Sequence, residues 1–280
     1  MEVPEKLIDV SEVIRKKNPK LLKIMPKFCI TGMKRLIHQD EVNRIIYDYR
    51  HRFGLDFVRC ILEDMRVSYT VAGMENVPPD GRYIFASNHP LGGFDGLVLM
   101  DAIGKSFPNI RFIVNDILLN LKNFSPIFVP VNKHGRQPAE YARMIDETYS
   151  GDYHVLNFPA GLCSRKIKGK IIDLKWNKSF IQKALHYRRD IVPVYFEGRN
   201  SGFFYGLANL RKMLRIKSNL EMTFLVDEFF KQKGQHLKLT FGKPVPYTQF
   251  DSSKSALQWA DSIRQQVYAM QTQSFEGNSF

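Results

Sequence analysis

The chain has 280 residues, 44% hydrophobic and 25% charged, a globular mixture with enough material for one large domain or two small ones. That balance excludes a disordered chain. The formal net charge of +13 calls for an anionic partner: nucleic acid, an anionic membrane or an acidic protein.

The opening stretch MEVPEKLIDV is acidic and mixed, unlike a secretory signal. No run of about 18 apolar residues occurs, so no bilayer-spanning helix is expected and any membrane contact is at the surface. Residues 1–66 read as a helical, membrane-associating segment. Within it, Asn18–Ile37 mixes Leu, Ile, Met and Phe with Lys20, Lys23, Lys27, Lys34 and Arg35, and no acidic residue occurs from Val13 to Leu36. That composition suits helices lying among lipid headgroups, or else a solvated basic helix packed on the next domain. Pro26 divides the segment into two short helices or one kinked helix. Val42, Ile45, Ile46, Tyr49 and Phe53 share a helical face, with Gly54 as a stop. Phe57, Val58, Ile61, Leu62 and Met65 define a further helix.

Residues 67–280 alternate. β-Branched and aromatic runs predict strands at Val67–Val71, Tyr83–Ala86, Arg111–Val114, Ile127–Val131, Tyr153–Phe158, Ile191–Phe196 and Leu237–Phe241. Helices are expected at Asp95–Ile103, Gln137–Tyr149 and Asn177–His186. The class is α/β: a central, largely parallel β-sheet flanked by helices, with an N-terminal helical segment. A last helix is capped by Asp251 or Ser252 and buries Leu257, Ala260, Ile263, Val267 and Met270. Cys29, Cys60 and Cys163 form no C-x-x-C pair and are too scattered for a disulfide framework, which fits a reducing cytoplasm.

Chemistry concentrates in FASNHPLGGFDG, Phe85–Gly96. His89 follows a short strand and Asp95 opens a helix, the strand-to-helix position where α/β sheets bind ligands. A carboxylate on one imidazole nitrogen fixes the tautomer and frees the other nitrogen to take a substrate proton. Pro90 stiffens the exit from His89, and Gly92-Gly93 lets the backbone fold back. The plain alternative is a turn followed by an Asp N-cap.

These residues resemble the lysophosphatidate and glycerol-phosphate acyltransferase superfamily. Its marks are Asn-His, four residues, then Asp; a block like Phe-Pro-Glu-Gly-Thr-Arg-Ser; and a strand with Val-Pro-Val. SNHPLGGFDG, FPAGLCSR (Phe158–Arg165) and IVPVYFEG (Ile191–Gly198) stand in that order, and the likeness covers about residues 67–245. Here five residues separate His89 from Asp95, a glycine-rich form similar to the haemolysin-like or lyso-ornithine-lipid-type branch. Ala160 and Cys163 replace the glutamate and arginine associated with the acceptor's glycerol phosphate.

The resemblance implies an O-acyltransferase moving a fatty acyl group from acyl carrier protein or coenzyme A to a lysolipid hydroxyl. A lyso-amino-acid lipid is favoured as acceptor over lysophosphatidate. His89 would be the base and Asp95 its orienting partner, with Gly92 and Gly93 as candidate oxyanion donors. Asn88, Asn115, Asp116, Phe158, Pro159, Gly161, Ser164, Arg165 and Lys166 are candidate acceptor-binding or loop residues. The run Ser164–Lys170 reads as a solvated basic loop or a docking patch. In Ser201–Lys217, Phe203, Phe204, Tyr205 and Leu207 could enter the membrane interface while Arg211, Lys212, Arg215 and Lys217 meet phosphates. Histidines 38, 51, 134, 154, 186 and 236 have no partner pattern. No metal, nucleotide or other cofactor motif is present, and no nucleic-acid module. The expected place is the cytoplasmic side of a membrane, peripherally attached. A basic binding protein that catalyses nothing is the competing reading.

Overall fold

The computed structural model describes residues 8–17, 19–132, 137–216 and 219–276; His134 and Lys217, and the side chain of Lys23, lie outside what is described. Helices α1 (Val10–Lys17), α2 (Pro19–Ile24), α3 (Lys27–Leu36), α4 (Gln39–Asp48) and α5 (Gly54–Asp64) come first. The chain continues as β1 (Ser68–Ala72), β2 (Tyr83–Ser87), α6 (Phe94–Gly104), β3 (Ile110–Asn115), β4 (Phe128–Val131), α7 (Ala139–Ser150) and β5 (His154–Asn157). It ends as β6 (Arg165–Ile167), β7 (Lys170–Ile172), α8 (Ser179–Tyr187), β8 (Asp190–Glu197), α9 (Gly202–Met213), α10 (Leu225–Phe230), β9 (His236–Phe241) and α11 (Ala256–Glu276).

Pro26 stands at the N-cap of α3, separating it from α2 as expected. It has no N–H to donate, so it suits a helix start and would cost a bond inside one. Gly54 does not stop a helix. It opens α5 at φ +58°, while α4 has already ended at Asp48. Phe53 is half exposed, so the buried face of α4 is carried by Ile45 with Val42 and Tyr49 at its margin.

The seven expected strands form one sheet in the order β1-β9-β8-β2-β5-β3-β4. Only β8 and β9 pair antiparallel; the other neighbours run parallel. Both faces are covered. On β2, Tyr83 and Phe85 enter a core shared with α5 and α6, while Ile84 and Ala86 enter a second core shared with α8 and α11. The period of two is the strand's own, and a parallel sheet needs it filled on both sides. Every residue of α6 is buried. The residues Phe57, Val58, Ile61, Leu62 and Met65 of α5 and its end lie in the same core as the sheet.

Two local readings change. The antiparallel hairpin β6–β7 occupies what the sequence offered as a basic loop. α11 is capped by Ser255, not by Asp251 or Ser252: its Oγ accepts the Gln258 N–H at 3.3 Å, and its N–H donates to Gln258 Oε1 at 2.8 Å. This is a reciprocal Ser-x-x-Gln box. Trp259, Ala260, Ile263 and Val267 form the buried face of α11, and Leu257 is exposed.

Arg189, fully buried just before β8, holds the end of α7. Its guanidinium donates to the carbonyls of Tyr149 (2.6 Å), Tyr153 and Gly151, with a longer contact to Thr148 (3.4 Å). A cation at a helix C-terminus satisfies orphan carbonyls and opposes the dipole. Burial lowers its pKa to about 10. Arg189→Leu should therefore lower unfolding free energy by about 3 kcal/mol or more in urea titrations, because several buried carbonyls lose their donors at once.

Candidate active site

The carboxyl ends of β2, β5 and β3 converge on one loop cluster. Beyond Ser87 the Asn88 amide takes over strand pairing. Its Nδ2 donates to the Phe196 carbonyl at 2.9 Å and its Oδ1 accepts the Phe196 N–H at 2.7 Å. A carboxamide mimics a peptide unit, so β8 stays attached to the chain where β2 ends. Asn88 thus fixes the loop.

His89 comes next, with its side chain 15% exposed. Its Nδ1 lies 2.9 Å from Asp95 Oδ2, and Asp95 is fully buried. The Asp95 carboxylate also accepts the Leu91 N–H at 2.9 Å and the Gly93 and Gly96 N–H groups at 3.0 Å each. The fifth intervening residue is absorbed by this wrapping of the loop around the carboxylate. Gly92 makes it possible: it sits at φ +76°, and a Cβ there would come within 2.6 Å of Leu225 Cδ2 and 3.1 Å of Cys163 Cβ. The Gly93 N–H is spent on Asp95, so it is not an oxyanion donor. The Gly92 N–H and His89 Nε2 make no hydrogen bond among the described residues.

Phe158 stacks on the imidazole, centroids 3.9 Å apart and 17° from parallel, and meets Phe112 edge-on at 5.3 Å. It touches the histidine itself, beyond shaping its own loop. Behind the loop lies a carboxylate that sequence reading did not single out. Asp173 Oδ1 accepts the His89 N–H (3.2 Å) and the Ser164 hydroxyl (2.6 Å), and Oδ2 accepts the Trp176 N–H (2.8 Å). The Ser164 N–H donates to the His89 carbonyl at 2.8 Å. Burial pushes the Asp173 carboxyl above the usual range, against the pull of those donors. No local motif marks Asp173; it lies 84 residues from His89.

A cleft of about 600 Å³ opens on His89. β5 pairs β3 only as far as Phe112, while β3 runs on to Asn115, and the cleft lies where the strands part. Phe112, Val114, Phe128, Leu118, Met222 and Leu225 make an apolar arm. Asn115, Gln137, Asn157, Asn177, Ser179 and Lys183 make a polar one. No carboxylate lines it among the described residues, and Lys183 is its one fixed cation. The volume suits a small-molecule site.

The remaining candidates divide. Gly92, Gly93, Asn115, Phe158 and Gly161 line the cleft; Asp116, Pro159, Ser164, Arg165 and Lys166 do not. Asn115, not Asp116, caps the following turn through Ile117 N–H at 3.3 Å. Pro159 anchors Asn177 through its carbonyl. Arg165 is buried and committed: it donates to Cys163 O at 2.8 Å and to Glu221 Oε1 at 2.9 Å, and Arg211 holds the other Glu221 oxygen at 2.8 Å. It does not offer a free fork to a phosphate. Lys166 is exposed on β6. Burial pushes the Cys163 thiol up to about 11, which keeps it protonated and poorly nucleophilic. Of the other histidines, His38 meets Asp227 at 3.0 Å, and burial lowers His154 to about 4. Among the described residues no cluster could hold a metal ion.

The α/β sheet carries His89, on a buried Asp95, at the mouth of the cleft, and the chain belongs to the acyltransferase family. Residues 12–277 match that family's model. It is similar to the lyso-glycine lipid O-acyltransferase of Bacteroides thetaiotaomicron, 43% identical over 94% of this chain and 97% of that protein. It is 42% identical to the enzyme of the same name in Phocaeicola vulgatus, over 94% of this chain and 95% of that one. The 1-acyl-sn-glycerophosphate acyltransferase PlsC from Thermotoga maritima superposes with a TM-score of 0.45 at 14% identity, covering 88% of this chain and 98% of that structure. Membership sets aside the non-catalytic reading.

Gly92→Ala should lower acyl-transfer kcat by about 100-fold or more, because the loop that wraps Asp95 must shift and small misplacements at a reacting centre are costly. Steady-state assay of the folded variant, with circular dichroism as the control for folding, checks this.

Proposed function

We propose that the protein acylates the hydroxyl of an N-(3-hydroxyacyl) amino acid, foremost a glycine lipid, using a fatty acyl thioester of acyl carrier protein or coenzyme A. The observation that carries the chemistry is the His89–Asp95 contact at 2.9 Å, with Nε2 unbonded at the cleft. His89 Nε2 takes the acceptor's hydroxyl proton as the oxygen attacks the thioester carbonyl. Asp95 holds the tautomer and stabilises the imidazolium. The Gly92 N–H is the loop donor left for the oxyanion. Collapse of the tetrahedral intermediate breaks the C–S bond, and the departing thiolate recovers the proton from His89.

The acceptor is argued from charge. A phosphate monoester favours forked or clustered cations. Cys163 is neutral, Ala160 carries no polar group, Arg165 is tied to Glu221, and Lys183 stands alone in the cleft. A single carboxylate headgroup suits that supply better, and both the Bacteroides and Phocaeicola relatives are named for acylating a lyso-glycine lipid.

The reaction is proposed to run at the cytoplasmic surface of an anionic membrane, with no role for nucleic acid. No helix among the described residues is long and apolar enough to cross a bilayer. Ile24 (77% exposed), Phe28 (76%) and Met213 (72%) present apolar surface beside basic residues, a composition for the headgroup layer. Phe204 and Tyr205 are buried, so the interfacial aromatic of α9 is Phe203. The segment 219–230 connects these parts to the cleft. Met222 and Leu225 line it, Phe224 meets Phe203, and α10 holds His38 through Asp227 and Phe230. In this reading α1–α3 are the attaching part of residues 1–66.

Purified protein given a fatty acyl thioester should acylate N-(3-hydroxyacyl)glycine with a higher kcat/KM than lysophosphatidate; the reverse order would overturn the acceptor. His89→Ala should lose about 10³-fold or more in kcat while staying folded, and Asp95→Asn should be severely impaired. Ile24→Asp with Phe28→Asp should reduce sedimentation with anionic vesicles, and high salt should release part of the wild-type protein.

A further inference from the structure

A second cavity, of about 1040 Å³, lies on the other side of the His89 loop. Asn88 and Pro90, the neighbours of His89 in the chain, form part of its wall. The β6–β7 hairpin, the end of β8 and the turn after it, the end of α10, the start of β9 and α11 supply the rest. The mechanism above does not use it.

Asn200 lines this cavity and is 4% exposed. Its backbone N–H is satisfied by the Tyr205 hydroxyl at 3.0 Å, but both polar atoms of its side chain are buried without a hydrogen-bond partner. Folded proteins rarely leave a whole amide in that state unless something else completes it. An orphan carboxamide offers one acceptor and two donors, which is the complement of a secondary amide. Around it, Lys170, Arg199 and Lys238 are exposed, and none is in an ion pair among the described residues. Lys231, by contrast, is neutralised by Glu228 at 2.8 Å and Asp227 at 2.7 Å, and Ser201 also binds Glu228. Glu197 also lines the cavity and stands opposite Lys238 in the β8–β9 register.

We infer that this cavity receives the phosphopantetheine arm common to coenzyme A and acyl carrier protein. Asn200 pairs with an amide of the arm, and Lys170, Arg199 and Lys238 take its phosphate. The arm then ends beside Asn88 and Pro90, the chain neighbours of His89, and the thioester passes the loop to the first cleft, where His89 Nε2 lies. That leaves the first cleft to the acceptor and the hydrocarbon chains. The inference rests on the thioester donor proposed above but not on which lysolipid accepts.

The test is calorimetric binding of 4′-phosphopantetheine, coenzyme A and holo-acyl carrier protein to the full chain and to two variants. Asn200→Leu removes the orphan amide, and Arg199→Ala with Lys238→Ala removes exposed charge. Both should weaken 4′-phosphopantetheine binding about tenfold or more, and the double variant should also flatten its salt dependence. Without ligand, Asn200→Leu should keep or raise the melting temperature, because a buried unpaired amide becomes apolar; a merely structural asparagine would lower it. In turnover, donor KM should rise while acceptor KM stays. Coenzyme A binding as tightly as the holo-carrier makes coenzyme A the source of the arm; much tighter carrier binding makes the carrier the source. Unchanged affinity in the double variant, no binding of any of the three probes, or a rise in acceptor KM alone overturns the inference. Active wild-type enzyme with those results would leave the proposed function standing, whereas no turnover with any thioester would remove that function while the binding results still decide the cavity.

Discussion

The Asp95 carboxylate, fully buried, accepts from His89, Leu91, Gly93 and Gly96 within a single turn of chain. A buried carboxylate without such donors would carry a large desolvation cost, so the loop has little choice but to close around it. The closure sets the imidazole, places the Gly92 N–H, and starts α6. Because α6 is buried along its whole length, the carboxylate cannot move without disturbing the main core. Its place in the first turn of a helix adds a favourable dipole.

The same device recurs farther out. Asp173 ties the His89 backbone to Ser164, and the Tyr268 hydroxyl of α11 accepts its N–H at 2.6 Å. Glu221 holds Arg165 beside Cys163, and Glu228 holds Ser201 and Lys231. This basic protein thus places several carboxylates inside, each fastening a loop near the strand ends. The outer surface is left more positive than composition alone implies, since Asp95, Asp101, Asp173, Glu221 and Glu228 are all withdrawn from it while, among the described residues, Arg165 and Arg189 are the buried cations. That residual field suits anionic substrates and surfaces.

Hydrophobicity is divided in the same functional sense. The sheet's two cores take the β-branched and aromatic residues of the strands. Some apolar side chains of α2, α3 and α9 remain outside, and the cleft opens between β3, β5 and the 219–230 segment.

The amino-acid sequence by itself determined the seven strands, the flanking helices and the His89–Asp95 pair. Each is written within a short window: alternation of period two, runs bounded by Gly and Pro, and two titratable side chains in one glycine turn. The three motif blocks also announced the family. What it did not determine were contacts between distant positions. Asn88 finds Phe196 across 108 residues, Asp173 finds His89 across 84, and Arg165 finds Glu221 across 56. No local periodicity encodes those meetings. The β6–β7 hairpin is too short and too rich in lysine to show as strands, and only its setting against the loop cluster makes it one. The burial of Phe204 and Tyr205 beside an exposed Phe203 was likewise decided by which side of α9 met the core. Local chemistry was legible because it depends on neighbours in the chain; the fastening of the loops was not, because it depends on neighbours in space.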